Sequence, residues 1–161
     1  MAVVYVSIGS NIDKERNIKA CLQALATHFT EVVLSPIYES EAVGFSGDNF
    51  YNLVAKFNTD LSVGQLNVAL KAIEDENGRE RSGPKFSGRT LDIDILTYDD
   101  LVGEVDGVLL PRDEITKNAF VLLPMKDIAA DVPHPELEVS YGRLWFFYDK
   151  EKQKLWQVEL T

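Results

Sequence analysis

The chain has 161 residues, 45% hydrophobic and 26% charged, with 26 Asp plus Glu against 16 Lys plus Arg and a formal net charge of -10. That length and composition fit a single globular domain over 1–161, one able to bury roughly 70% of its unfolded surface. So acidic a total argues against a broad nucleic-acid or membrane surface, and no stretch approaches the ~20 apolar residues of a membrane helix.

The single cysteine, Cys21, excludes an intrachain disulfide and suits a reducing compartment. Residues 1–10 carry neither a basic segment nor the apolar run of a signal peptide, so a cytoplasmic protein is expected. Val3 to Ile8 reads as a buried strand, with Gly9-Ser10-Asn11 as the turn after it. A helix is predicted from about Asp13 to Phe29, because Ile18, Cys21, Leu22, Leu25 and Phe29 recur at helical spacing. Cys21 lies within that stripe and is read as core. Val32 to Tyr38 is a second strand in which Pro36 marks an edge position or a bulge.

Phe50 to Phe57 is predicted as the third strand. Ser62-Val63-Gly64-Gln65 has the spacing of a capping box, and the stripe Leu66, Ala69, Leu70, Ile73 continues into a second helix that stops near Asn77-Gly78. Thr90 to Tyr98 is the fourth strand. The order β-α-β-β-α-β is that of a ferredoxin-like α+β sandwich, with helices on one face of an antiparallel sheet. The remainder reads as additions: a hairpin in Asp99 to Leu110, an apolar run from Ala119 to Ala130 broken by Pro124, a short helix at Val139 to Tyr148, and a strand at Leu155 to Leu160. Trp145, Phe146, Phe147 and Trp156 are expected as late core or as a lid over the sheet.

One stretch is chemically unusual. In Arg89-Thr90-Leu91-Asp92-Ile93-Asp94-Ile95-Leu96 the apolar residues alternate with polar ones, which turns both aspartates onto one face of a strand. Asp is disfavoured in strands, and two on one face repel each other. Upstream, Arg79, Arg81, Lys85 and Arg89 face one acid, Glu80, among Gly78, Gly83, Pro84 and Gly88, so the segment reads as a basic loop. A basic loop running into a twin-carboxylate strand offers both halves of a metal–polyphosphate site. Mg²⁺ is typically held by one or two carboxylates plus phosphate oxygens. An ordinary amphipathic strand with a wet acidic face stays open as the competing interpretation.

The Arg89–Leu96 block resembles the signature of the 6-hydroxymethyl-7,8-dihydropterin pyrophosphokinase family. Ile8-Gly9-Ser10-Asn11, Phe50-Tyr51-Asn52, Ile73-Glu74, Gly78-Arg79 with Arg81, Leu110-Pro111 and Ala119-Phe120-Val121-Leu122-Leu123-Pro124 agree in order, over nearly the whole chain. The resemblance implies transfer of the β,γ-diphosphoryl group of ATP to the hydroxymethyl group of a reduced pterin. It implies Asp92 and Asp94 as ligands of two Mg²⁺ ions, and Arg79 and Arg81 as catalytic-loop arginines. Glu74, Arg81, Arg89 and Ile95 fall on the ATP side, as does Arg112 if it serves as a substitute cation. Phe50 and Phe120 would sandwich the pterin, Asn52 would bond its edge, and backbone near Ser40 and Val43 would contact its pyrimidine part. A monomer is expected.

The chain departs from the family at several points. Phe86-Ser87-Gly88 stands where an aromatic and Gly-Pro are usual, and Pro111-Arg112-Asp113 where Pro-His is usual. Asn118 replaces a common arginine, and Ser40-Glu41-Ala42 a Thr-x-Pro. A pterin- or nucleotide-binding relative that has lost efficient transfer, and a ferredoxin-like interaction module, therefore remain as alternatives at this point.

Overall fold

The computed structural model describes residues 1–41, 48–77 and 91–160. Its axis is strand β1 (Ala2–Ser10), hydrogen-bonded on one side to β4 (Phe50–Thr59) and on the other to β5 (Asp92–Tyr98). Alternation along β1 turns Val4, Val6 and Ile8 to one face and Tyr5 to the other, all buried. Both faces of the sheet are thus committed to a core.

The first face is covered by helix α1 (Lys14–His28) and helix α2 (Val63–Glu76). Ile18, Cys21 and Leu25 of α1 and Leu66, Leu70 and Ile73 of α2 pack there on Leu53, Phe57, Ile93 and Ile95. Helix α2 starts with the expected capping box: Gln65 N–H donates to Ser62 Oγ at 3.2 Å, and Gln65 Oε1 accepts from Ser62 N–H at 3.0 Å. Burial pushes the Cys21 thiol up to about 12, which fits core and not a nucleophile.

The expected second strand is two. β2 (Thr30–Leu34) and β3 (Ile37–Ser40) both pair with β4, and Ser35-Pro36 separates them. Pro36 has no N–H for the ladder, and the buried Ser35 Oγ accepts from Val54 N–H at 2.9 Å to close the gap. The main sheet runs β5-β1-β4-β3-β8 with every neighbour antiparallel, where β8 is Leu155–Val158. This is the ferredoxin-like arrangement with an added edge strand.

The second face carries the additions. After a hairpin, β6 (Gly103–Val105) with β7 (Val108–Leu110), come α3 (Glu114–Lys117), α4 (Ala119–Ala129) and α5 (Tyr141–Phe147). Ile115, Val121, Leu122, Met125 and Tyr141 pack on Tyr5, Val54 and Leu96. Pro124 does not break the run but sits inside α4, and is buried with its neighbours. The aromatic lid fails at two positions: Phe146 is 74% exposed and Phe147 71%. In α5 the inward residues are Tyr141, Leu144 and Trp145, one face of a short helix, so 146 and 147 fall on the other. Trp156, on the last strand, is also exposed.

Candidate active site

Most of the described candidate residues lie on the α4 face of the sheet. The ladder registers place Asp92 opposite Gly9, Gly9 opposite Asn52, and Asn52 opposite Tyr38. These four lie in one row across β5, β1, β4 and β3. To one side of this row Asp94 is opposite Ser7, and to the other side Phe50 is opposite Ser40. Alternation puts Asp92, Asp94 and Leu96 on the same face, and Leu96 is packed under α4.

Gly9 lies within β1, not in the expected turn, and it leaves the row bare between Asp92 and Asn52. A Cβ there would stand 3.6 Å from Asn52 Oδ1 and 3.8 Å from the Phe50 ring. The Asn52 Nδ2 group donates to Ser40 Oγ at 2.8 Å and to Tyr38 O at 3.3 Å, which fixes the buried amide and turns its oxygen toward Gly9. Tyr38 in turn donates from its hydroxyl to Asp127 of α4, so the amide row is braced against the helix above it. Burial and the Asp127 carboxylate hold the Tyr38 phenol well above its ordinary range.

The acidic end is flanked by cations. Lys71 Nζ is 3.6 Å from Asp94 Oδ1, and Arg112 Nη2 is 3.7 Å from Asp94 Oδ2. Burial first, and then the neighbouring Asp92, push the Asp94 carboxyl up to about 6; Arg112 and Lys71 pull the other way. The donor set suits a hard cation: oxygen-only ligands, same-sided, crowded enough that a positive charge is favoured between them. Among the described residues no group of three or more His, Cys, Asp or Glu could hold a metal.

Two of the expected ATP-side residues have buried side chains. Glu74 is fully buried, and its Oε2 accepts from Ile93 N–H at 3.0 Å and from Lys71 Nζ at 2.9 Å. It thereby ties α2 to β5. The Ile95 side chain is buried among the helices, leaving only main chain to reach a ligand. Lys71 was missed in the sequence, although it is the lone basic residue of α2 and lies one turn before Glu74. It also accepts a structural task, donating to the carbonyl of Ile93 at 3.1 Å.

Phe120 is half-buried on the second core, Phe50 is opposite Ser40, and Asn52 donates to Ser40. Asp113 is paired on the surface with Lys117, whose Nζ lies 2.8 Å from its carboxylate. Val43, Arg79, Arg81 and Arg89 lie outside the described residues.

Fold and site together define a ferredoxin-like α+β protein with an acidic, cation-flanked edge beside an amide-lined floor. A family model for 7,8-dihydro-6-hydroxymethylpterin-pyrophosphokinase matches residues 5–130, and the chain belongs to that family. It is 35% identical to the pyrophosphokinase of Aquifex aeolicus, over 84% of this chain and 85% of that protein. It is 31% identical to the Haemophilus influenzae pyrophosphokinase, over 96% and 99%. The folic acid synthesis protein FOL1 of Dictyostelium discoideum is 35% identical over 88% of this chain, but the match spans only 22% of that longer protein. A crystal structure of Plasmodium falciparum HPPK-DHPS with pterin and p-hydroxybenzoate superposes with a TM-score of 0.72 at 14% identity, covering 90% of this chain and 42% of that one. That likeness speaks to the fold alone. No helix among the described residues is long and apolar enough to cross a membrane.

Proposed function

We propose that this chain transfers the diphosphoryl group of ATP to the hydroxymethyl group of 6-hydroxymethyl-7,8-dihydropterin, giving AMP, as a step of folate biosynthesis. The observation that carries the reading is the row Asp92, Gly9, Asn52, Tyr38, with an acid at one end, an oriented amide at the other and bare backbone between. Asp92 and Asn52 are two strands apart, roughly 9–10 Å across the sheet, enough for a flat bicycle between them. The pterin would lie over Gly9 with its amide-like edge on Asn52 and its hydroxymethyl group toward the carboxylates. Phe50 and Phe120 would cover its faces, and backbone near Ser40 and Val43 would meet its pyrimidine part.

In the reaction the substrate hydroxyl oxygen bonds to the β-phosphorus, the bond from β-phosphorus to the AMP oxygen breaks, and the hydroxyl proton is lost to solvent. Such chemistry requires in-line positioning and neutralised phosphoryl oxygens more than covalent help. Asp92 and Asp94 would hold Mg²⁺, two ions in the full complex, which would supply neutralising charge for the phosphate oxygens. Arg112 would add a guanidinium on the ATP side, and Arg79, Arg81 and Arg89 would grip phosphate from the segment before β5. Main chain of Ile95 would meet the base. Glu74 acts from behind, through Lys71 and Ile93. The proposal includes a single-domain monomer acting in the cytoplasm.

The test is AMP release from ATP and Mg²⁺, with and without the pterin. Pterin-dependent AMP supports the reading; binding of both ligands without AMP would mark a relative that binds but does not transfer.

A further inference from the structure

Residues 148–158 lie beyond the part of the chain that the family model matches, yet they reach both walls of the candidate pterin slot. On one wall, β8 pairs with β3 so that Leu155 lies opposite Ser40. On the other, Gln153 meets the start of α4. Its Oε1 accepts from Ala119 N–H at 2.7 Å, and its Nε2 donates to Asn118 Oδ1 at 2.9 Å. Asn118 provides no side-chain cap of its own, so an amide at the first turn of α4 is satisfied from the far end of the chain. Phe120 is the next residue along. A second tie lies close by, where the Tyr148 hydroxyl donates to Lys117 O at 2.9 Å. The turn between these anchors and β8 lines a pocket of about 280 Å³ together with Ser40 and Phe120.

We infer that Gln153 is a positioning residue for the pterin, which fixes the first turn of α4 and so holds Phe120 at its distance from the Ser40 wall. The inference rests on the pterin reading above. Ala119 is fully buried. Without that acceptor its N–H has no protein partner in place, so the helix start shifts toward another partner or toward water from the pocket that Gln153 lines. Such a shift carries Phe120 with it, while Asp92, Asp94 and Arg112 are held by other contacts. Slot width and ATP handling are thereby separable.

The experiment compares the whole chain with Gln153→Ala and Gln153→Glu, reading equilibrium pterin binding by its fluorescence and KM for each substrate. Gln153→Ala should raise the pterin Kd and KM roughly five- to tenfold, the scale of one net hydrogen bond, with KM for ATP and kcat within about twofold. Gln153→Glu should restore pterin affinity, because a carboxylate still accepts from Ala119 and Asn118 can turn its amide to donate. Should the alanine variant not fold, Gln153→Lys, a donor without an acceptor, gives the same comparison. Unchanged pterin affinity in a folded variant, or equal losses for ATP and pterin, overturns the inference. Wild-type protein that binds no pterin overturns the substrate reading itself.

Discussion

Arg112 stands with Nη2 3.7 Å from Asp94 Oδ2 while holding Glu114 Oε1 at 2.8 Å. Its backbone is fixed as well, since Arg112 N–H donates to Leu96 O at 2.9 Å, on the same strand as the acids. The residue that replaces the family's histidine is thus built into the edge of β5 as a charge partner for the acidic pair. Arg112→Ala should raise KM for ATP about tenfold or more, the scale of one charge-assisted hydrogen bond, and leave the pterin Kd near that of wild type. Steady-state kinetics with each substrate varied in turn checks this. An unchanged KM for ATP would remove Arg112 from the site.

Asp94→Ala should lower kcat more than about 100-fold, beyond the 10–100-fold typical of groups that only support a metal ligand. Its thermal stability should not fall with it, because the wild-type carboxyl is already penalised by burial and by Asp92. Near-normal turnover in this variant contradicts the metal assignment. A fall in Tm matching the loss of activity would instead make Asp94 structural.

Glu74 and Asp94 separate what could be seen in the sequence from what could not. The alternation around Asp92 and Asp94 was visible because a strand has a period of two, and the structure keeps both acids on one face. Nothing local distinguished Glu74 from Asp75 and Glu76 at the end of α2. Its burial depends on where β5 lies against that helix, a contact between residues 19 positions apart. Gly9 was likewise hidden, since Gly-Ser-Asn has turn chemistry, and only the pairing with β4 and β5 shows it inside a strand. Phe146 and Phe147 misled because composition does not reveal which side of a seven-residue helix faces the core.

Glu74→Ala should destabilise the fold by about 3 kcal/mol, since it strands the buried amide of Ile93 and removes the nearer of the two carboxylates beside Lys71. Glu74→Gln keeps an acceptor for Ile93 and should lose less. Urea denaturation of both variants measures the difference. Equal stability in all three proteins would mean that these two hydrogen bonds do not hold α2 to β5.

Gly9→Ala separates floor from fold. The nearest atoms to the added methyl group, Asn52 Oδ1 at 3.6 Å and Phe50 Cδ1 at 3.8 Å, are at ordinary contact distance, so Tm should stay within a few degrees. The methyl group would still stand on the bare part of the row, lifting any flat ring off it. Pterin affinity should fall at least about tenfold, by loss of close packing and of the Asn52 contact. Unaltered pterin binding in a folded Gly9→Ala protein would place the ring elsewhere.

His134 gives a pH dependence independent of catalysis. The ring is buried, and its Nδ1 accepts from Glu136 N–H at 3.2 Å and Leu137 N–H at 3.1 Å, which requires that nitrogen to be unprotonated. Burial holds its pKa below the ordinary value, with Glu136 working weakly against it. As pH falls through the unfolded value of about 6.5, the unfolded chain takes up a proton that the folded ring refuses. Stability contributed by this group is therefore present above about 6.5 and lost on acidification. Asp94, raised to about 6, acts in the opposite sense, because below that pH the folded state gains a proton first. The two effects overlap, so the difference between proteins is the useful quantity. His134→Asn offers the same two amides a non-titrating oxygen, and wild type should lose stability relative to it between pH 7 and pH 5. Parallel stability curves over that range would mean that the ring titrates as freely in the fold as outside it.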